Sequence, residues 1–172
     1  MANATTKPTI DVLELLTSQH AEVDTLFEKL EKKQGDQKAV FAELANKLAA
    51  HAKIEETIFY PAVMAKQTDD MLHESVEEHL QIKRVLSDML VMKVTDENFE
   101  AKLSVLKEDV SHHAHEEEEE KLFTLLRRTM STDELGALGN ECMALFETLM
   151  AGNPSSSVPS ETIEAAPLPK VA

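Results

Sequence analysis

The sequence predicts an all-α protein, an antiparallel up-down-up-down four-helix bundle with a short fifth helix after it. Three observations carry the prediction. Apolar residues recur at alternating steps of three and four through four long segments, the spacing of a single helix face. Only four Gly, one Tyr and no Trp occur among 172 residues, a composition poor in what strands prefer. The breaks between segments are short and polar, which makes successive helices antiparallel neighbours.

From Ile10 to about Lys33 the stripe reads Leu13, Leu16, Val23, Phe27 and Leu30, with His20 on it between Leu16 and Val23. Gly35 and Asp36 break the pattern. A second helix from about Gln37 carries Leu44, Leu48, Ile58 and Ala62, and His51 and Glu55 occupy the missing steps. Pro61 should weaken or kink its last turn. Thr68, Asp69 and Asp70 offer a loop and a cap for the third helix, whose stripe is Leu72, Val76, His79, Ile82, Leu86 and Leu90. After a turn at Thr95 to Asn98 the fourth helix carries Phe99, Leu103, Leu106 and Val110, and the same rhythm lands on His113 and Glu117. Asp133 to Ala151 is the fifth helix, capped by Ser131 or Thr132 and ended by Gly152 and Pro154. The expected organisation is an N-terminal tail over 1–9, the bundle with its fifth helix over 10–151, and a disordered tail over 152–172. That tail is rich in Pro and Ser and is a candidate docking peptide for a partner protein.

Composition narrows the function. A formal net charge of −15 repels a phosphate backbone, so nucleic acid is not an expected partner. No apolar run is long enough to span a bilayer, no signal-peptide core opens the chain, and Cys142 is the single cysteine, so a cytoplasmic protein without a membrane partner is expected.

A polar residue on an apolar stripe costs free energy unless something satisfies it, and here every long helix breaks its stripe with histidine. The turns supply a test, because antiparallel neighbours place residues equidistant from a turn at one height. His20 and His51 lie fifteen residues from Gly35 and Asp36 respectively, His51 and His79 fourteen from Ala65, and His79 and His113 seventeen from Asp96. Four imidazoles therefore share a layer. Glu55 and Glu117, each four residues after a histidine on helices running the same way, reach a second common level. His20, His51, Glu55, His79, His113 and Glu117 make a six-residue candidate site for two metal ions, with two imidazoles per ion and bridging carboxylates. Mixed imidazole and carboxylate donors suit iron or manganese better than calcium, magnesium or structural zinc.

The segments LELLTSQHAEVDTLFEKLE, HAKIEETIFYP, EEHLQIKRVL and FEAKLSVLKEDVSHHAHEEEEEKLF resemble the four helices of hemerythrin-like proteins, the HHE cation-binding family, over roughly Ile10 to Arg128. The resemblance implies a centre of two iron ions with an oxo or hydroxo bridge, in a protein that binds or reacts with dioxygen, nitric oxide or peroxide. Sensing, protection against oxidative or nitrosative stress, and iron handling all fit, as does a peroxidase or catalase-like activity with Lys83 or Tyr60 near the centre. Lys83 stands where oxygen-carrying hemerythrins have a further histidine, which speaks against reversible oxygen storage. No cysteine precedes Cys142, unlike the iron-centre repair members. The glutamate run Glu116 to Glu120 is one residue longer than usual. Either a local bulge absorbs the extra residue or the ligand register shifts to His115 and Glu119, the second H-x-x-x-E pair. Glu56 and Glu118 are candidate acceptors around the centre, and Lys83 is expected to make a structural ion pair.

Overall fold

A computed structural model describes residues 10–171; the expected tail over 1–9 lies outside the described residues. Helix α1 spans Val12–Glu31, α2 Gln37–Ile54, α3 Tyr60–Val63, α4 Asp69–Leu90, α5 Phe99–Ser111, α6 Phe123–Thr129 and α7 Thr132–Met150. A π-helical turn, Glu55–Phe59, joins α2 to α3, and a longer π-helical stretch, His112–Leu122, joins α5 to α6. Two of the four long rods of the bundle are therefore continuous helices with a widened middle. α1 packs on α2, α2 on α4, α4 on α5 and α5 on α1, which closes the expected four-helix ring.

The helix starts follow from side-chain oxygens that take up otherwise unpaired N–H groups. Asp11 accepts from the N–H of Leu13 at 2.7 Å, and Asp36 from those of Lys38 and Ala39 at 3.0 and 3.2 Å. Ser131 and Glu134 form a capping box at the start of α7. Two long helices start without a side-chain cap. Thr68, just before α4, ties the turn together instead, donating to the Val63 carbonyl and accepting from the Ala65 N–H, and Asn98, just before α5, makes no capping bond. Near Pro61 the helix widens rather than kinks: the π turn ends one residue before α3 begins, just ahead of the ring that has no N–H to give.

The apolar interior is divided in two. One cluster, with Phe27, Leu44, Leu86 and Leu106, fills the end where α1 leads into α2. The other, with Leu13, Leu16, Ile54, Phe59, Leu72 and Phe123, fills the opposite end and takes in Leu135 and Cys142 of α7. α7 lies against α1 and α2, and at Gly139 a Cβ would stand 2.0 Å from the Ile10 carbonyl oxygen, so only glycine admits the chain there. Between the two clusters runs a polar belt.

Residues 152–171 do not form the disordered tail expected from their composition. Pro154–Glu161 winds into a 3-10 helix against α2 and α4, burying Val158 and Ser155. The Ser155 N–H donates to Asn46 at 3.1 Å, and Leu168 packs on the second cluster further along. The anchoring side chains are few and small, so composition hides them; the groove between α2 and α4 supplies the surface that orders them. No helix among the described residues is long and apolar enough to cross a membrane.

Candidate metal centre

The belt between the two apolar clusters is made by His20 from α1, His51 from α2, His79 from α4 and His113 from the π stretch after α5, all buried. Their Nε2 atoms meet in two pairs, His20 with His51 at 3.1 Å and His79 with His113 at 2.9 Å. Glu55, fully buried, lies between the pairs, with Oε1 3.1 Å from the Nε2 of His51 and Oε2 3.2 Å from that of His79. Despite those distances neither oxygen makes a hydrogen bond.

Glu117 does not join this cluster. Its carboxylate pairs with Lys121 near the surface and lies 3.6 Å from the exposed His112. Glu118 takes the place expected for Glu117: it is fully buried, its Oε1 accepts from the Tyr60 hydroxyl at 2.9 Å, and its Oε2 lies 3.3 Å from His20 Nε2 and 3.8 Å from His113 Nε2 without a hydrogen bond. The cause is the winding. In a π-helix the backbone bonds run from i to i+5, so the fifth residue after His113 sits where the fourth would sit in an α-helix. The overlong glutamate run was the signal for that bulge, and the bulge absorbs the extra residue without a shift to His115. The imidazole of His115 instead pairs with Asp24 at 3.0 Å and with Glu119 at 3.2 Å, outside the cluster.

Each inward-turned imidazole has its other nitrogen held from behind. The Nδ1–H of His51 donates to Gln19 at 2.7 Å, that of His79 to Glu56 at 3.0 Å, that of His113 to Glu78 at 2.7 Å and that of His20 to Glu119 at 2.7 Å. In every case a residue beside one member of the cluster serves the histidine of the next helix, so the acceptors form a closed ring around the bundle. Of the four, the sequence pointed only to Glu56. With the proton fixed on Nδ1, each Nε2 presents a lone pair to the interior, and two lone pairs 2.9 or 3.1 Å apart repel unless a cation stands between them.

The electrostatics agree. Burial by itself would lower the pKa of His20, but the carboxylates of Glu118 and Glu119 close to its two ring nitrogens carry it to about 10. His79 is likewise lowered by burial and raised by Glu55 and Glu56, to about 10. Burial would raise Glu55, yet His51 and His79 hold it well below the ordinary carboxylate range. Without metal the belt recruits protons; its carboxylates demand positive charge at these positions.

The donor set fits metal ions. Among the described residues, two groupings of side chains have donor atoms close enough to share an ion: His20, His51, Glu55 and Glu118, and Glu55, His79 and His113. For donors about 2.1 Å from an ion, a right angle separates them by about 3.0 Å and a tetrahedral angle by about 3.4 Å. The observed 3.1 and 2.9 Å match adjacent octahedral positions. Tyr60, also fully buried, places its hydroxyl oxygen 3.3 Å from the Nε2 of His79 and 3.4 Å from that of His113, beside the grouping with fewer donors. On the other side of the imidazoles is a cavity of about 30 Å³, lined by the four histidines, Asp24 and apolar side chains that include Val23, Leu48, Ile82 and Val110. By the usual measure that is space for two or so water-sized groups.

A four-helix bundle with such a belt belongs to the class of proteins that hold metal between helices. Residues 11–126 match the family described as the hemerythrin HHE cation binding domain, and the chain belongs to that family. The chain is similar in fold to a hemerythrin HHE cation binding domain-containing protein from Mycobacterium kansasii, with a TM-score of 0.71 and 23% identity over 90% of this chain and 94% of that one. It is also 25% identical over 130 residues to a DNA nickase from Nostoc sp. (strain PCC 7120), a match that takes in 74% of this chain and 37% of that protein. This chain thus spans little more than a third of that relative's length.

Proposed function

We propose that this protein is a non-haem di-iron protein that binds or reacts with one small oxidant, dioxygen, nitric oxide or peroxide, in sensing, protection or iron handling. The observation that carries the reading is the inward-facing pairing of four Nε2 lone pairs around two carboxylates with unbonded oxygens, opening onto a cavity of about 30 Å³. His20, His51, Glu55 and Glu118 would hold one ion. Glu55, His79, His113 and the Tyr60 oxygen would hold the other, a bound cation reversing the pull of burial and of nearby carboxylates that otherwise keeps the Tyr60 proton on. Octahedral spacing favours iron, with manganese second, over tetrahedral zinc. Iron supplies a redox couple and an open coordination position for a ligand of two or three atoms.

The chain's own residues do the rest. Gln19, Glu56, Glu78 and Glu119 fix the imidazoles for binding, the apolar lining excludes bulk water, and Glu118 accepts the hydrogen bond of the Tyr60 hydroxyl. That last contact favours, as a second reading, peroxide turnover with Glu118 and Tyr60 moving the proton. DNA cleavage of the kind named for the Nostoc relative has no support in a chain of net charge −15.

The test is anaerobic loading of the metal-free protein with ferrous iron, followed by metal analysis and optical spectra on exposure to dioxygen, nitric oxide and hydrogen peroxide. About two irons per chain are expected, with a visible iron–phenolate band in the oxidised wild type that Tyr60→Phe loses. Binding of one ion or none overturns the dinuclear reading, and an unchanged band in Tyr60→Phe overturns the role of Tyr60.

A further inference from the structure

The ring of acceptors behind the four imidazoles is uneven. Gln19 is neutral; Glu78 and Glu119 are part-exposed, and each also faces a histidine, His112 at 3.4 Å and His115 at 3.2 Å. Glu56 alone of the four is both buried and clamped by a fixed cation. The Lys83 ammonium, itself buried, donates to both Glu56 oxygens at 2.8 and 2.7 Å. A second carboxylate shares that ammonium: Glu161 Oε2 lies 2.9 Å from Lys83 Nζ. Glu161 is the last residue of the 3-10 helix, and the segment just after it is held by Arg84, which donates to the carbonyls of Thr162 and Ile163 at 3.0 and 3.3 Å. A line of charge thus runs from the C-terminal segment through Lys83 and Glu56 to the Nδ1–H of His79.

We propose that Lys83 is a positioning residue that sets the donor strength of His79 through Glu56, and that Glu161 sets how much of the Lys83 charge reaches Glu56. The inference rests on the di-iron reading above. The more negative the carboxylate behind an imidazole, the more basic its ligating nitrogen and the more it favours the oxidised ion. Lys83 blunts Glu56, and Glu161 blunts Lys83. The C-terminal segment is then a working part of the centre: it tunes one half while leaving the other to Gln19 and Glu119.

The signs make the inference testable. Reduction potentials are measured by spectroelectrochemistry on the iron-loaded full chain. Lys83→Met should lower the potential of the centre, since Glu56 is no longer compensated, and Glu161→Gln should raise it, since Lys83 is. Lys83→Arg should stay near the wild type. In a Glu56→Gln background the shift from Lys83→Met should shrink markedly, because the carboxylate through which Lys83 acts has lost its charge. Shifts of the same sign in Lys83→Met and Glu161→Gln, or an equal Lys83→Met shift in both backgrounds, would overturn the proposal. If Lys83→Met does not fold, Glu161→Gln decides alone: an upward shift supports the relay and an unchanged potential refutes it. Failure of the wild type to take up two irons would instead sink the di-iron reading, and this inference with it.

Discussion

Glutamine in place of Glu118 tests the site at its least expected point. That carboxylate is fully buried, has one oxygen without a hydrogen bond, and faces His20 Nε2 at 3.3 Å. On the proposed di-iron reading it is one of the four donors to the first ion and contributes a full negative charge there. Replacing an outer partner of a metal ligand weakens affinity by about 10 to 100-fold, so losing a direct carboxylate donor should cost more than about 100-fold, or roughly 2.7 kcal/mol. Glu117→Gln breaks only a surface pair with Lys121 four residues on, worth about 0.3–0.5 kcal/mol, and should leave iron binding alone. The assay is iron per chain after equilibration with a competing chelator, read beside the thermal midpoint of each metal-free protein. Deleting Glu117 sharpens the contrast. In an ordinary α-helix a deletion turns everything beyond it by about 100°, but here it removes the residue that widens the helix. The deleted protein should rewind as α, place Glu118 four residues after His113, and keep its iron. Retention of iron by Glu118→Gln, or equal loss from Glu117→Gln, would refute the assignment of the bulge.

Two further outcomes follow from the charge and packing of the same regions. In metal-free protein, His20 and His79 have folded pKa values near 10 against an ordinary 6.5, so their contribution to stability is fully present below about pH 6.5 and is lost as pH rises towards 10; the thermal midpoint should fall between pH 6.5 and 9 when a chelator is present, and a flat profile would contradict the proton-filled belt. Val158→Ala removes two buried methyl groups that join the C-terminal segment to the first apolar cluster, a loss of about 1.5 kcal/mol at roughly 0.8 kcal/mol per group, and denaturant unfolding with no change in stability would show that the segment is not docked.

The all-helical bundle was legible because it rests on local rules. Apolar residues at helical spacing and short polar turns leave one economical way to bury four stripes, and the distance of each histidine from its turn placed four imidazoles at one depth. Five of the six residues singled out from the sequence, His20, His51, Glu55, His79 and His113, lie together in the belt. The sixth was displaced by one position, because which glutamate of a run of five points inward depends on how the helix winds between its neighbours. Even that left a trace, the extra residue in the run. Nothing local marked Gln19, Glu78 or Glu119 as an acceptor behind an imidazole, since each serves a histidine on another helix and is known only once the helices are side by side.

The C-terminal segment divides the two kinds of information in the same way. Its composition accounts for the absence of a regular amphipathic helix, but its ordered path depends on a groove built by α2 and α4, and on the pairing of Glu161 with a lysine 78 residues earlier. Which helices form, and that their polar residues meet at one level, can be read from residue order, because periodicity and turn position are properties of the chain. Which carboxylate faces the imidazoles, which acceptor stands behind each of them and where the last residues rest follow from packing alone. Those are contacts between distant segments, and their energies exist only after packing has brought the segments together.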